Sequence, residues 1–155
     1  MSDKKKLSAK EYLEQLEVLD TNINQDLELL SEMKASASST GGIDYSKERV
    51  QTSLSGDKLG NDVTRYIDFN EQINAEIDRF VDAKEQIIRE IRGLHVDNYC
   101  QVLFKVYVQF KTVRQAAKEM KKSYPYVIEL HNKGLALFEE TYKNHVCSAA
   151  TATIN

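Results

Sequence analysis

The chain has 155 residues, of which 41% are apolar, 29% charged and 8% aromatic, with 21 basic against 24 acidic side chains. A single proline, no tryptophan and few aromatic residues disfavour a β-sandwich or barrel, so we expect an all-α protein. No segment holds the roughly 18 consecutive apolar residues of a membrane span, and Met1 to Lys10 lacks the apolar core of a signal peptide. We therefore expect a cytoplasmic protein with no membrane partner.

Charge is divided unevenly along the chain. Residues 1–96 hold 13 basic and 19 acidic side chains, whereas residues 97–155 hold 8 basic and 5 acidic ones. Within the second part, residues 105–133 hold seven basic and two acidic side chains, a net charge of +5. Such a density suits a phosphate backbone as partner, and a solvated surface of a small helical domain is the alternative.

A first long helix is predicted to begin at Ser8. Ser8 and Glu11 have the spacing of a capping box, and a heptad pattern of apolar residues follows. A run of Ser, Thr and Gly from Ser36 to Gly42 predicts the end of this helix. The seam comprises Leu16, Ile23, Leu30 and Ala37 at position a and Tyr12, Leu19, Asp26 and Met33 at position d.

A second long helix follows a segment rich in Gly, Ser and Thr, which predicts a flexible loop at about 39–60. Two such helices favour an antiparallel coiled-coil hairpin over residues 8–95. Apolar e positions widen the stripe, so we expect the C-terminal domain or a second chain to cover it, which makes a homo-oligomer through the coiled coil a hypothesis. The second seam comprises Val63, Asn70, Ile77, Lys84 and Ile91 at a and Tyr66, Ile73, Phe80, Ile87 and Leu94 at d, with Ile67, Val81 and Ile88 at e.

The pattern of caps and apolar residues over residues 96–143 predicts a helix-turn-helix DNA-binding domain. A helix from about Asp97 to Phe110 precedes a short helix, which Thr112 caps reciprocally with Gln115. A three-residue turn then leads to a last helix that Ser123 caps and that runs to about Tyr142. The tail, residues 144–155, has no apolar pattern and is predicted to be disordered.

The start of the last helix is the predicted reading surface, because the first turn of a recognition helix enters the major groove. Basic and hydroxyl side chains suit phosphate contacts, whereas aromatic, acidic and amide side chains suit base edges. We assign phosphate contacts to Arg114, Lys118, Lys121, Lys122 and Ser123, and the groove face to Tyr124, Tyr126, Glu129 and Asn132; Thr112 and Lys133 complete the DNA-binding set.

Other chemistry has no motif in this sequence. The three histidines lie far from one another and from both cysteines, and no Gly-rich phosphate loop or nucleophile elbow is present. We expect no enzymatic activity, no catalytic residues, no metal and no cofactor.

The run from Thr112 to Met120 resembles the helix-turn-helix of sigma-factor region four, together with Ser123, Val127, Leu130-His131 and Gly134-Leu135. From about Lys10 to Tyr142 the layout is similar to the ArpU/RinA-like late-gene transcriptional regulators of prophages in Gram-positive bacteria. Matching segments are Lys10-Glu11-Tyr12-Leu13, Leu19-Asp20-Thr21-Asn22-Ile23-Asn24, Val50-Gln51-Thr52-Ser53 and Ile73-Asn74-Ala75-Glu76-Ile77-Asp78.

The resemblance implies a phage or prophage activator that binds double-stranded promoter DNA upstream of packaging and structural genes, in the host bacterial cytoplasm. RNA polymerase is a second candidate partner. The chain departs from region-four readers in the first turn of its last helix, where Tyr124, Pro125 and Tyr126 replace the usual Arg, Glu or Gln. The alternative is a non-catalytic helical adaptor, such as a phage assembly or terminase-associated protein that acts through its coiled coil.

Overall fold

The computed structural model describes residues 7–39 and 55–142, and in these residues the chain is all-α, without strands. The prediction of an all-α protein is confirmed for this part of the chain. No helix among the described residues combines the length and the apolar character that crossing a bilayer requires. The elements are α1 (Ala9–Ser39), α2 (Ser55–Arg92), α3 (Asp97–Leu103), a π-helical segment (Phe104–Val108), α4 (Val113–Met120) and α5 (Tyr124–Thr141).

The contacts divide the chain into two units. The C-terminal unit comprises, of the described residues, 7–19 and 80–142. The mid-chain unit comprises residues 20–39 and 55–79. Helices α1 and α2 each contribute to both units.

One apolar core holds the C-terminal unit together. It combines side chains from the start of α1, the end of α2, and the helices from α3 to α5. Its largest fully buried side chains are Leu13, Leu16, Ile91, Val102, Leu103, Val127 and Phe138. At the start of α1, the predicted capping box is confirmed, because the Ser8 backbone N–H donates to Glu11 Oε2 at 2.8 Å and the Glu11 N–H donates to Ser8 Oγ at 3.3 Å.

A buried carboxylate, Glu90, lies in this core with only 5% of its surface exposed. The Tyr12 hydroxyl donates to Glu90 Oε2 at 2.9 Å, and the Gln86 amide donates to Oε1 at 2.8 Å. The Tyr142 hydroxyl donates to the Glu90 backbone oxygen at 2.8 Å, in a position where any Cβ at Gly93 would collide with it. Burial and the neighbouring carboxylate raise the pKa of Tyr12.

The mid-chain unit buries much less of its apolar surface. Ile23 and Ile73 are buried, as their seam positions predict. The exposed fraction is 53% for Val63 and 50% for Ile67, and Leu27 and Leu29 are exposed as well. Val63, which the pattern assigns to the seam, is therefore not buried within the single chain, because a heptad period assigns residues to a face without determining how far along the helix that face is covered.

Helix α2 begins earlier than predicted. Its first residue is Ser55, so residues 55–60, which belong to the predicted loop, are helical. The two glycines in this segment disfavour a helix by about 1 kcal/mol each, but adding residues to an existing helix avoids the cost of nucleation. The rest of the predicted loop, including Val50-Gln51-Thr52-Ser53, and the predicted disordered tail at 144–155 lie outside the described residues.

The helix that begins at Asp97 does not continue as an α-helix to Phe110. It changes at Phe104 into the π-helical segment, where the Gln109 N–H donates to the Phe104 oxygen at 3.0 Å. Phe110 then has a φ of 55°, which redirects the chain toward α4. Single π-helical turns are frequent at functional sites. The sequence pattern predicts an uninterrupted helix here.

Candidate nucleic-acid interface

The short helix α4 begins and ends as its sequence predicts. The Thr112 N–H donates to Gln115 Oε1 at 2.9 Å and the Gln115 N–H donates to Thr112 Oγ1 at 3.2 Å, which confirms this capping box. At the other end Lys121 has a left-handed backbone, with φ at 54°. The Lys122 N–H then donates to the Ala117 oxygen at 3.0 Å, which closes the helix.

Ser123 precedes α5 with an extended backbone, so the predicted N-cap position is correct. Its side chain, however, makes no capping hydrogen bond, and Pro125 lies in the first turn of the helix. Ser123 thus marks the boundary through its backbone conformation, while its exposed hydroxyl is not used as a cap.

Small and branched side chains pack α4 against α5 as predicted. Ala116 and Ala117 on α4 are buried, and so are Val127 and Leu130 on α5. Further along α5, a Cβ at Gly134 would lie 3.3 Å from Tyr99 Cβ, so α3 passes close to this helix. These contacts fix the start of α5 while the polar side of α4 stays exposed.

Six exposed residues around the turn form a surface that we call the cation–tyrosine patch. Arg114 Cζ lies 5.1 Å from the ring centroid of Tyr124, and Lys122 Nζ lies 5.3 Å from that of Tyr126. The two tyrosines are 42% and 41% exposed. A cation over an exposed aromatic ring contributes about 0.5–1 kcal/mol, so each ring helps to position its cation. The patch comprises Arg114, Lys118, Lys121, Lys122, Tyr124 and Tyr126.

The positive charges of the four cations in the patch are not balanced by acidic side chains of the described residues. None of Arg114, Lys118, Lys121 and Lys122 forms an ion pair with a residue in 7–39 or 55–142. Arg114 and Lys118 are one turn apart on α4, and the other two occupy the turn itself. The four basic residues of the predicted phosphate-contacting set are therefore all exposed and lie on α4 or in the turn that leads to Ser123.

Two other lysines of the basic segment are paired with Glu119, which offsets one of their two positive charges. The Nζ atoms of Lys105 and Lys111 each lie 2.6 Å from a carboxylate oxygen of Glu119. These two hydrogen bonds lower the pKa of Glu119 to about 2. Glu119 thereby connects α4 to the π-helical segment and to the chain that follows it. Nothing in the local sequence predicts this cluster, because its members come from two helical segments and from the connection between them.

The predicted groove residues further along α5 are engaged elsewhere. Lys133 Nζ lies 2.5 Å from Glu129 Oε1, an exposed pair one turn apart that raises the pKa of Lys133. Asn132 Oδ1 lies 3.4 Å from His131 Nδ1. Glu129, Asn132 and Lys133 therefore each have a partner on α5.

His131 fixes α5 to the π-helical segment. Its Nε2 lies 2.9 Å from the Tyr107 hydroxyl, and the two rings stack with centroids 5.6 Å apart. Burial lowers the pKa of His131 and raises that of Tyr107 to about 12. At neutral pH this contact therefore joins two uncharged groups.

The C-terminal unit also has a groove of about 490 Å³ beside the π-helical segment, lined by apolar side chains such as Phe104 and Met120. Cys100 lies in the groove, where its Sγ donates to the Ile91 backbone oxygen at 3.0 Å. Across residues 7–39 and 55–142, no three His, Cys, Asp or Glu side chains are grouped so that they could hold a metal ion.

Comparison with protein-family models, with curated proteins and with solved structures finds no match for this chain. Function is therefore inferred from the chemistry of the patch and from the sequence resemblance.

Proposed function

We propose that the chain is a DNA-binding transcriptional regulator of phage or prophage genes, and that it contacts duplex DNA through the cation–tyrosine patch. In this proposal, α4, the turn at 121–123 and α5 form a helix-turn-helix, and α1 and α2 form an antiparallel coiled-coil hairpin. The hydrogen bond from Tyr12 near the start of α1 to Glu90 near the end of α2 supports the hairpin. The late-gene role depends on the resemblance to the prophage regulators.

The observation that carries the proposal is the grouping of four cations without ion pairs among the described residues, next to two exposed tyrosines. Duplex DNA is a dense array of phosphates, and a protein gains affinity by neutralising several of them at once. The hydroxyl groups of Ser123 and of the tyrosines add hydrogen-bond donors of the kind that contact phosphate oxygens.

The backbone of Lys121 gives independent support. A non-glycine residue in the left-handed region is strained by about 1–2 kcal/mol, and glycine is the usual residue at this position after a helix. Stability alone therefore favours glycine at 121. A lysine here sacrifices stability for a positive charge at the turn, which is expected of a residue with a functional role.

The rings of Tyr124 and Tyr126 favour a duplex over a single strand. Proteins that bind single strands stack successive bases on open aromatic faces. Here one face of each ring lies against a cation, so stacking would compete with the contacts of Arg114 and Lys122.

The sharpest test replaces Lys121 by glycine, which suits the backbone and removes the charge. We expect Lys121→Gly to be as stable as the parent chain or more stable by about 1 kcal/mol. At the same time its affinity for a mixed-sequence duplex should fall, and the slope of log affinity against log salt should become shallower by about one unit. Fluorescence anisotropy over a range of salt concentrations measures the slope, and urea unfolding measures the stability.

Arg79→Gln is the matched control, because it removes one exposed positive charge from the mid-chain unit. It should leave the salt slope unchanged. The double variant Lys121→Gly/Lys122→Ala should reduce the slope by about two units. A slope that is the same in the double variant and the parent chain would contradict the proposal.

A second candidate function, a non-catalytic adaptor that acts through the coiled coil, is favoured by the exposed apolar side chains of the mid-chain unit, such as Val63 and Ile67. An adaptor would show neither the salt-dependent DNA binding nor its loss in the Lys121 variants. The same surface makes a homo-oligomer a proposal, and light scattering that returned the 17.7 kDa mass of one chain would contradict it.

A further inference from the structure

Few hydrogen-bonding side chains near the start of α5 are left to read base edges. Glu129 is paired with Lys133, and Asn132 contacts His131. On α4, the side-chain oxygen Oε1 of Gln115 accepts a hydrogen bond from the Thr112 N–H. Direct readout by bidentate hydrogen bonds needs such groups to be free, so these residues are poor readers as they stand.

The exposed surface at the first turn of α5 is instead aromatic and apolar. Tyr124 and Tyr126 are each about two-fifths exposed, and Pro125 between them is exposed as well. Arg114 and Lys122 lie against the rings and add charge without adding a pattern of base-specific acceptors. In the major groove, the apolar group that distinguishes one base from the others is the C5 methyl of thymine.

We propose that Tyr124 and Tyr126 are the specificity-determining residues of the patch, and that they select thymine through its C5 methyl group. This inference rests on the proposed duplex binding and gives it a base preference. Arg114 and Lys122 hold the rings and contact phosphates, whereas the rings contact methyl groups.

The test compares two short duplexes that differ only in the methyl group: one of alternating adenine and thymine, the other with deoxyuridine in place of each thymidine. We expect the parent chain to bind the thymine duplex more tightly, by about fourfold for each methyl group that a ring buries. The double variant Tyr124→Ala/Tyr126→Ala should bind both duplexes equally. Since the rings also position two cations, its affinity for each duplex falls too, and only the ratio reports on the methyl contact.

Two matched variants distinguish the contribution of the rings from that of the hydroxyl groups and from that of a positive charge. Tyr124→Phe/Tyr126→Phe keeps the rings and should keep the preference for thymine. Lys118→Gln removes a cation of the patch that does not lie against either ring, so it should weaken binding to both duplexes by the same factor and leave the ratio unchanged. Circular dichroism and thermal unfolding establish that each variant is folded, which is expected because all the substitutions are at exposed positions.

Each outcome decides between the two claims. Equal binding of both duplexes by the parent chain, with a steep salt dependence, overturns the inference and leaves the proposed function standing. A preference for thymine that persists in Tyr124→Ala/Tyr126→Ala also overturns it, because the preference then comes from the shape of the duplex. Failure to bind any duplex at low salt overturns the proposed function itself.

Discussion

The C-terminal unit and the mid-chain unit share a heptad pattern but differ in what they bury. In the C-terminal unit Leu13, Leu16 and Phe138 are completely buried, and even the carboxylate of Glu90 is buried with its hydrogen bonds made. In the mid-chain unit Val63 and Ile67 are about half exposed. A heptad period therefore predicts that a segment is helical, whereas burial requires further elements to cover the apolar face, as α3, α4 and α5 do in the C-terminal unit.

The largest effect should come from the core of the C-terminal unit. Phe138→Ala removes a ring that is fully buried, next to the rings of Tyr12 and Tyr142, and should lower the free energy of unfolding by about 3–5 kcal/mol. Ile67→Ala removes a half-exposed side chain from the mid-chain unit and should change the free energy of unfolding by only about 0.5 kcal/mol. Urea unfolding followed by circular dichroism measures both. Equal losses in the two variants would show that the units do not differ in packing.

A smaller effect is expected from the buried hydrogen bonds. Tyr12→Phe keeps the ring but removes the hydroxyl that donates to Glu90, which leaves one carboxylate oxygen without this donor. We expect a loss of about 1–3 kcal/mol in the free energy of unfolding. Tyr124→Phe, at an exposed position, is the control and should change the stability by less than about 0.5 kcal/mol. A loss of the same size in the control would mean that the Glu90 contact contributes nothing specific.

Local chemistry explains which parts of the fold were predictable from the sequence. The capping boxes at Ser8 and Thr112 each need only two residues at a fixed spacing, and both are found as predicted. The buried Glu90 was missed, because a glutamate in a long helix is typical of a solvated face and its partner Tyr12 is 78 residues away in sequence. The π-helical turn was missed because the apolar pattern predicts one continuous helix as far as Phe110.

In the candidate site, too, local features were predictable from the sequence and contacts between distant segments were not. The sequence placed Arg114, Lys118, Lys121 and Lys122 together because they lie within nine residues on one helix and its turn. It did not predict that Glu119 binds Lys105 and Lys111, since this cluster depends on how α4 packs against the π-helical segment and the connection that follows it. Of the net charge of +5, four units therefore belong to the cations of the patch and one remains on the cluster around Glu119. Pairing of Lys133 with Glu129, at the spacing of one helical turn, was the part that sequence alone could have suggested.

The smallest predicted effect is a difference in stability between variants of two N-cap residues in the C-terminal unit. Thr112 and Ser123 both occupy N-cap positions, but only Thr112 accepts a hydrogen bond from the backbone of its helix. Thr112→Ala should therefore lower the free energy of unfolding by about 1 kcal/mol, and Ser123→Ala by less than about 0.5 kcal/mol. In duplex binding we expect both variants to lose affinity, because Thr112 Oγ1 only accepts a hydrogen bond in the cap and each hydroxyl can still donate its hydrogen to a phosphate oxygen. Urea unfolding and anisotropy on the same two variants measure stability and binding, and equal losses of stability at the two positions would contradict the geometry of Ser123.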